Sequence, residues 1–273
     1  GLNWNNISDG FFKSPSMGAI RVYQKNPSII YVGTGSDGIR SNVIVGKGVY
    51  KSIDDGKSWS NIGLKNVGQI GAVETHPDNA DIVYVAAIGQ PFQPNVERGL
   101  YKSLDGGKTW ENILFISNEI GVVDIELSPD NPDVIYAASW RGERKPWTII
   151  SGSEEGGIYK STDAGKTWKK WKKGLPKGLV GKIDLATTAA DPDRVYALIE
   201  ANNGKGGVYV SYDRGKSFIP MSYRKELVNR PFYYCNLEAD PKNADIIFSN
   251  ANRFMMSNDA GKTWKIMRTQ IVI

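Results

Sequence analysis

Two tryptophans in one irregular segment, residues 140–155, are the side chains best suited to chemistry in this sequence. Arginines and carboxylates accompany them. Exposed tryptophan beside arginine and carboxylate suits stacking on a sugar ring or anchoring a protein partner. The alternative is that these side chains pack the segment against its neighbours. The residues concerned are Trp140, Arg141, Glu143, Arg144, Trp147 and Glu154.

Three other irregular segments, 36–47, 89–98 and 223–234, carry aromatic and basic side chains of the same kind. Loops of this kind lie at protein surfaces, where binding residues concentrate. The sequence therefore predicts a binding surface formed by Arg40, Phe92, Arg98, Trp140, Arg141, Arg144, Trp147, Arg230 and Tyr233.

An eight-residue pattern between these segments recurs five times, as Ser-x-Asp-x-Gly-x-Ser/Thr-aromatic. Its aspartates lie 51, 58, 50 and 46 residues apart. The pattern predicts a hairpin turn, because a short aspartate accepts backbone N–H bonds and glycine allows a positive φ. We expect a structural role for these aspartates, which are Asp54, Asp105, Asp163, Asp213 and Asp259.

A second element precedes each turn: an apolar run, a Pro/Asp/Asn turn, and a β-branched and aromatic run, as in 125–137. Each unit then holds four short strands and no helical pattern. This predicts an all-β protein, a β-propeller of four-stranded antiparallel blades with five blades in this chain, possibly part of a larger propeller. The repeated turns would share one face, and the irregular segments would share the other.

The repeated pattern resembles the Asp-box, or BNR repeat, of sialidase-like, xyloglucanase-like and sortilin-like propellers. Together with Asn-Pro-Asp-x-x-Tyr, as at 131–136, it is most similar to bacterial sortilin-like BNR-repeat proteins, often named glycosyl hydrolases. The resemblance covers nearly the whole chain and implies the fold more than any activity. Sialidases of this fold carry Arg-Ile-Pro, and the corresponding Ile20-Arg21-Val22 lacks the proline, which argues against sialidase activity.

A glycoside hydrolase of xyloglucanase-like type would need two carboxyl groups about 5–5.5 Å apart for retention or about 6.5–9.5 Å for inversion. The resemblance makes Asp37 the catalytic candidate, against a turn-forming role before Gly38. The sequence alone pairs it with none of the other carboxylates expected on that face, which are Glu97, Glu143, Glu154, Glu155 and Glu226.

We expect residues 1–273 to form a single propeller whose units end at Trp59, Trp110, Trp168, Phe218 and Trp264. Residues 4–7 match 59–62 and 110–113, so 1–7 would be the outer strand of a preceding blade. Either the chain is a fragment of a larger propeller and a longer polypeptide or assembly, or the first strand helps to close a small ring.

Single copies of Cys235 and His76 exclude an internal disulfide and a Cys/His zinc cluster, and we expect no metal and no cofactor. No apolar run approaches membrane length. The net charge of +5 comes mainly from lysines dispersed over the repeats, which argues against nucleic acid. The dense run 169–173 is interpreted as a solvated strand edge rather than a phosphate-binding patch.

Two functions remain open, and a third possibility is a structural piece of a larger assembly. The first is a non-catalytic binding or scaffold propeller of a secreted or cell-surface protein, extracellular or periplasmic, recognising a protein or glycan partner through the face opposite the Asp-boxes. The second is the xyloglucanase-like hydrolase.

Overall fold

The computed structural model describes residues 3–267 and consists of five four-stranded antiparallel sheets, which confirms the β-propeller blades that the sequence predicts. In each sheet the strands follow chain order, so every blade is a meander. Blades 1 and 2 comprise β1 Met17–Val22, β2 Ile30–Thr34, β3 Val49–Ser52, β4 Ser60–Asn61, and β5 Gln69–His76, β6 Asn79–Gly89, β7 Gly99–Ser103, β8 Glu111–Leu114.

Blade 3 contains an insertion between its second and third strands, and blades 4 and 5 are joined by a short 3-10 turn, Lys225–Val228. The insertion, residues 141–156, holds two short strands of its own, β11 and β12. The bounds are β9 Gly121–Ser128, β10 Asn131–Trp140, β11 Gly142–Arg144, β12 Ile149–Ser151, β13 Gly157–Ser161, β14 Lys169–Trp171; β15 Val180–Thr187, β16 Val195–Ala201, β17 Gly207–Ser211, β18 Ile219–Ser222; and β19 Asn236–Ala239, β20 Ile247–Asn250, β21 Phe254–Ser257, β22 Lys265–Ile266.

The chain divides into two compact units, Gly1–Val122 with Glu143–Pro146, and Val123–Gly142 with Trp147–Ile273. Each has an apolar core between its blades, because alternate strand residues face the neighbouring sheet. The core of the first unit includes Tyr31, Val49, Val67, Ile70, Val73, Val83, Val85 and Ala87, and that of the second includes Tyr196, Leu198, Val208, Leu227, Leu237, Ile247, Met255 and Trp264.

All five repeated turns join the third and fourth strands of a blade and share one set of hydrogen bonds. In blade 2 the buried Ser103 hydroxyl accepts the Gly107 N–H at 2.8 Å and donates to Asp105 at 2.8 Å. Asp105 in turn accepts the backbone N–H and the hydroxyl of Thr109 at 2.9 and 2.6 Å. The turn therefore satisfies its own polar groups, and we call the sheet end that carries it the box end.

The same carboxylate bonds set the acidity of the turns. The hydroxyl four residues downstream donates to the aspartate and lowers its pKa to about 2 in Asp54, Asp163 and Asp259. These carboxylates are ionised at neutral pH and already have their hydrogen bonds inside the turn. That arrangement suits a structural role.

Neighbouring blades are joined by a repeated contact at the box. In the first unit Ile62, at the end of blade 1, accepts the indole N–H of Trp110 at 2.8 Å through its carbonyl. Its side chain lies where a Cβ on Gly107 would be, only 2.3 Å away, so glycine is required there. Ile7 makes the same contact with Trp59 at 2.8 Å and faces Gly56.

Residues 3–7 form no hydrogen-bonded strand, although Ile7 occupies the position that the sequence match with Ile62 predicts. Residues 1 and 2 of the proposed outer strand lie outside the described residues. The assignment of one propeller domain to residues 1–273, and of 1–7 to a preceding blade, stays a prediction.

Candidate binding site

The base of the blade 3 insertion is held by a buried hydrogen-bond chain in the second unit. The Trp140 indole N–H donates to the Ser151 hydroxyl at 3.0 Å, and that hydroxyl donates to Glu200 at 2.6 Å. Glu200 also accepts the Lys182 backbone N–H at 2.9 Å. The backbone of Gly152 closes the insertion by donating to the Arg141 carbonyl at 2.9 Å. The insertion therefore rises from a fixed base.

The two tryptophans of this segment have opposite environments. Trp140 is 0% exposed, which corrects the expectation of an exposed, ligand-stacking side chain at that position. It is the last residue of strand β10, and every residue of that strand from Val134 onward is buried, so Trp140 is part of the buried strand. Trp147 is 81% exposed and stands beyond the strands. Of the pair, only Trp147 can touch a partner directly.

Arg98 is a second correction, because its side chain is 1% exposed and cannot meet a ligand. Its guanidinium donates to the carbonyls of Ile88 at 2.7 Å and Gln90 at 2.6 Å, with Gln93 at 3.3 Å. Arginine in this place supplies donors to the carbonyl of Ile88 at the end of β6 and to two carbonyls of the loop that follows. Phe92, on the loop that Arg98 holds, is 49% exposed.

The remaining predicted residues lie at the ends of the sheets opposite the boxes, which we call the loop ends. Arg40 and Arg230 are exposed, and Arg230 has a positive φ of 60°. Arg141, Arg144, Tyr233 and the catalytic candidate Asp37 are half-buried. Tyr233 packs on Tyr234 with ring centres 4.0 Å apart.

Several carboxylates at the loop ends already have partners within their own segments. Glu143 is buried and forms an ion pair with Lys145, and Glu226 pairs with Arg224 at 3.2 Å. Glu97 accepts a hydrogen bond from the Asn95 side-chain amide at 3.2 Å. These contacts hold the loops, whereas the carboxylates of Glu154 and Glu155 are exposed.

The carboxylates with raised pKa lie inside the second unit. Burial raises the pKa of Asp124 to about 6, and burial also raises the pKa of Asp184 and Glu200. Asp124 accepts the Leu185 backbone N–H at 2.7 Å and Asp184 accepts that of Leu237 at 2.6 Å. The two aspartates therefore tie the first strands of blades 3, 4 and 5 together. The signal in the sequence was an aspartate at the same place in the first strands of blades 3 and 4.

A cavity of about 460 Å³ lies in the second unit between blades 3 and 4, beside the lysine run. The sequence predicted a solvated edge for the run, and β14 is indeed the outermost strand of its blade. The sequence did not predict that the end of this strand lines a cavity. Trp171, a tryptophan that has no place in the repeated pattern, was the one signal for it in the run. The lining includes Glu154, Lys170, Trp171, Lys172, Leu175, Pro176, Lys177, Ile183 and Ile199.

Within residues 3–267, no three His, Cys, Asp or Glu side chains gather into a group that could hold a metal ion. In the same range no helix has the length and apolar character needed to cross a membrane. His76 accepts the Asp78 backbone N–H at 3.1 Å through Nδ1, next to its turn, and Cys235 is a buried free thiol.

Comparison with known proteins agrees with an Asp-box propeller. Residues 156–272 match the family described as sortilin, neurotensin receptor 3. The vacuolar protein sorting/targeting protein 10 of Colletotrichum graminicola is 31% identical over 105 residues, covering 38% of this chain and 6% of that protein. The xyloglucanase Xgh74A of Acetivibrio thermocellus is 26% identical over 253 residues, covering 80% of this chain and 28% of that protein.

Solved structures share the fold at low identity. The GH74 enzyme of Niastella koreensis superposes with a TM-score of 0.65 at 20% identity, covering 91% of this chain and 38% of that one. The GH74 xyloglucanase of Xanthomonas campestris gives 0.65 at 16% identity, with 90% and 38% covered. The chain thus spans less than a third of the length of the two curated relatives, the Colletotrichum protein and Xgh74A.

Proposed function

We propose that this chain is a non-catalytic binding propeller of a secreted or cell-surface protein, extracellular or periplasmic, which recognises a protein or glycan partner through loop ends of its blades. The observation that carries the proposal is Trp147, 81% exposed on an insertion whose base is fixed. A large aromatic side chain held on an ordered support loses little freedom on binding, which is why such residues dominate interfaces.

The environment of the carboxylates favours binding over catalysis. A general acid must reach its substrate with a raised pKa. Burial raises the pKa of Asp124, Asp184 and Glu200, yet these groups bond to backbone and serine in the interior. These three carboxyl groups are therefore engaged in contacts inside the second unit.

The test compares Trp147→Ala with Trp4→Ala, since Trp4 is also exposed, at 88%, and lies in the other unit. Each variant and the parent chain are measured on an array of neutral and acidic glycans and against purified cell-surface proteins. We expect Trp147→Ala to weaken the parent's binding about tenfold or more, and Trp4→Ala to leave it unchanged. Unchanged binding by Trp147→Ala would remove the proposal.

A second candidate, hydrolysis of a xyloglucan-type glycan, is supported by the similarity to Xgh74A over 80% of the chain. It is tested by incubating the chain with xyloglucan and measuring new reducing ends. Release that disappears in Asp37→Asn would overturn the non-catalytic proposal and establish the hydrolase.

A further inference from the structure

The cavity between blades 3 and 4, which we call the lysine cavity, has an excess of positive charge. Lys170, Lys172 and Lys177 line it, and Glu154 is the one carboxylate among the lining residues that the structure describes. Lys172 and Lys177 are exposed, so their ammonium groups can approach a ligand. At neutral pH the lining therefore carries a formal charge of 3 − 1 = +2.

The lysines are held close enough to disfavour one another's charge. Burial lowers the pKa of Lys170, and the charge of Lys172 lowers it further. The Lys170 ammonium donates to the Glu154 backbone carbonyl at 3.1 Å, a neutral acceptor. The charge of Glu155 offsets part of this effect on Lys170, and an anion in the cavity would add further opposite charge.

The wall of the cavity holds an unused hydrogen-bond donor. The indole N–H of Trp171 is buried and has no hydrogen-bond partner, which costs free energy unless an acceptor arrives. The Trp171 ring lies under the ammonium groups of Lys160 and Lys169, at 5.8 and 5.7 Å from its centre. Two ammonium groups therefore lie over the ring of a tryptophan that lines the cavity.

The rest of the lining mixes apolar side chains with accessible backbone. Leu175, Ile183 and Ile199 supply apolar contact, and Gly156 and Gly178 bring main-chain groups to the surface without side chains in front of them. A sugar ring suits such a mixed lining, because it has both C–H faces and hydroxyls. The volume of about 460 Å³ falls within the range of about 300–1,000 Å³ typical of small-ligand sites.

We propose that the lysine cavity binds an acidic sugar, a pyranose whose carboxylate or sulfate group is paired with Lys172 and Lys177. This inference rests on the proposed binding function and narrows the possible glycan partners to anionic saccharides. The lysine cavity does not include Trp147. An experiment can therefore reject the acidic-sugar site without rejecting the proposed binding function.

The experiment is calorimetric titration of the whole chain with tri-galacturonate, with a sulfated carrageenan trisaccharide that has no carboxylate, with neutral cellotriose and with inorganic phosphate. The variant is Lys172→Gln with Lys177→Gln. Its matched control is Lys108→Gln with Lys262→Gln, which removes the same charge from two exposed lysines at box ends. Melting curves verify that both variants fold.

We expect an acidic trisaccharide to bind, more weakly as salt rises, and the cavity variant to lose about tenfold in affinity while the control keeps it. The carboxylated and sulfated probes then tell which anion is preferred. Equal losses in both variants would mean a general charge effect and overturn the site. Phosphate binding as tightly as the trisaccharides would overturn the sugar, as would cellotriose binding equally well.

Absence of binding by either acidic trisaccharide at millimolar concentration would overturn the inference. If a partner that depends on Trp147 were still bound in that case, the proposed function would stand and only the acidic-sugar site would fall. Loss of both would remove the binding function as well.

Discussion

The box turn of blade 4 and the insertion of blade 3 both rely on a serine hydroxyl and an aromatic residue, but they use them differently. In the box, Ser211 bonds only within its own turn, to Asp213 at 2.7 Å and from Gly215 at 2.7 Å. In the insertion, Ser151 links Trp140 to Glu200, which lies 49 residues further along the chain. The bonds of Ser211 are local in sequence, and those of Ser151 reach the neighbouring blade.

This contrast shows where function can enter the fold. The serine and aspartate of a box find their hydrogen-bond partners within the turn itself, so the same turn can be repeated in every blade. The loop ends lack that template, so each is stabilised by its own particular contacts, such as Arg98 on three carbonyls. Side chains that take no part in those contacts, above all Trp147, are exposed and can contact a partner.

The largest expected difference in stability is between the alanine variants of the two tryptophans, Trp140 and Trp147. Trp140→Ala removes a fully buried side chain and should lower the free energy of unfolding by about 3–5 kcal/mol. Trp147→Ala should change it by no more than about 0.5 kcal/mol. Urea unfolding followed by circular dichroism measures both. Similar values for the two variants would contradict the difference in their environments.

The joint between boxes is tested by two glycines with positive φ. Gly107→Ala places a Cβ 2.3 Å from Ile62 Cδ1, and should cost about 2–4 kcal/mol through overlap and backbone strain. Gly178→Ala has a similar φ, +81°, and nothing within 4 Å of the new carbon. It should cost only about 1 kcal/mol, from strain alone. Thermal unfolding of both variants isolates the overlap, and equal losses would show that the joint is loose.

The buried serine of the box should matter next. Ser211→Ala leaves the Gly215 N–H without an acceptor and should cost about 1–3 kcal/mol. The half-buried Ser153, at the loop end of blade 3, provides the control. Its replacement by alanine should cost about 1 kcal/mol or less. A box serine no more sensitive than Ser153 would show that the repeated hydrogen bonds add little stability.

The weakest of these effects is a difference in pH dependence. The folded pKa of Asp124, about 6, lies above its unfolded value, so its contribution is fully present below about pH 4 and is lost as the pH rises through 6. The box aspartates have folded pKa values of about 2, so they contribute above about pH 4 and lose that contribution as the pH falls toward 2.

Melting temperature should therefore rise from pH 8 to 5 and fall below pH 3. In Asp124→Asn the amide oxygen can still accept the Leu185 N–H, and the rise should flatten while the acid-side fall remains. An unaltered rise in that variant would remove Asp124 as its cause.

The repeated half of the molecule could be predicted from the sequence because its interactions are local. Ser52, Asp54 and Ser58 lie within seven residues, so their types and spacing already determine the turn and its hydrogen bonds. The alternation of apolar residues likewise determined the strands. The five blades followed from these two patterns.

The loop ends could not be predicted in the same way because their contacts are distant in sequence. The sequence near Trp140 does not indicate that its indole will be linked through Ser151 to Glu200, and the sequence near Arg98 does not indicate the three carbonyls that accept from it. Residue type identified the segments correctly as irregular. Residue type did not indicate which aromatic or basic side chains would be buried by packing of the loops.

The contact of Ile7 and Ile62 with the following box gives the repeat a direction. At these two places the end of one unit presents an isoleucine, and the next unit presents the glycine and tryptophan that receive it. A unit joined in this way has two different ends, and each end fits only the opposite end of its neighbour. Tandem duplication of the gene segment that encodes such a unit would produce a neighbour with the matching contact. This gives such propellers a simple route to changing their number of blades.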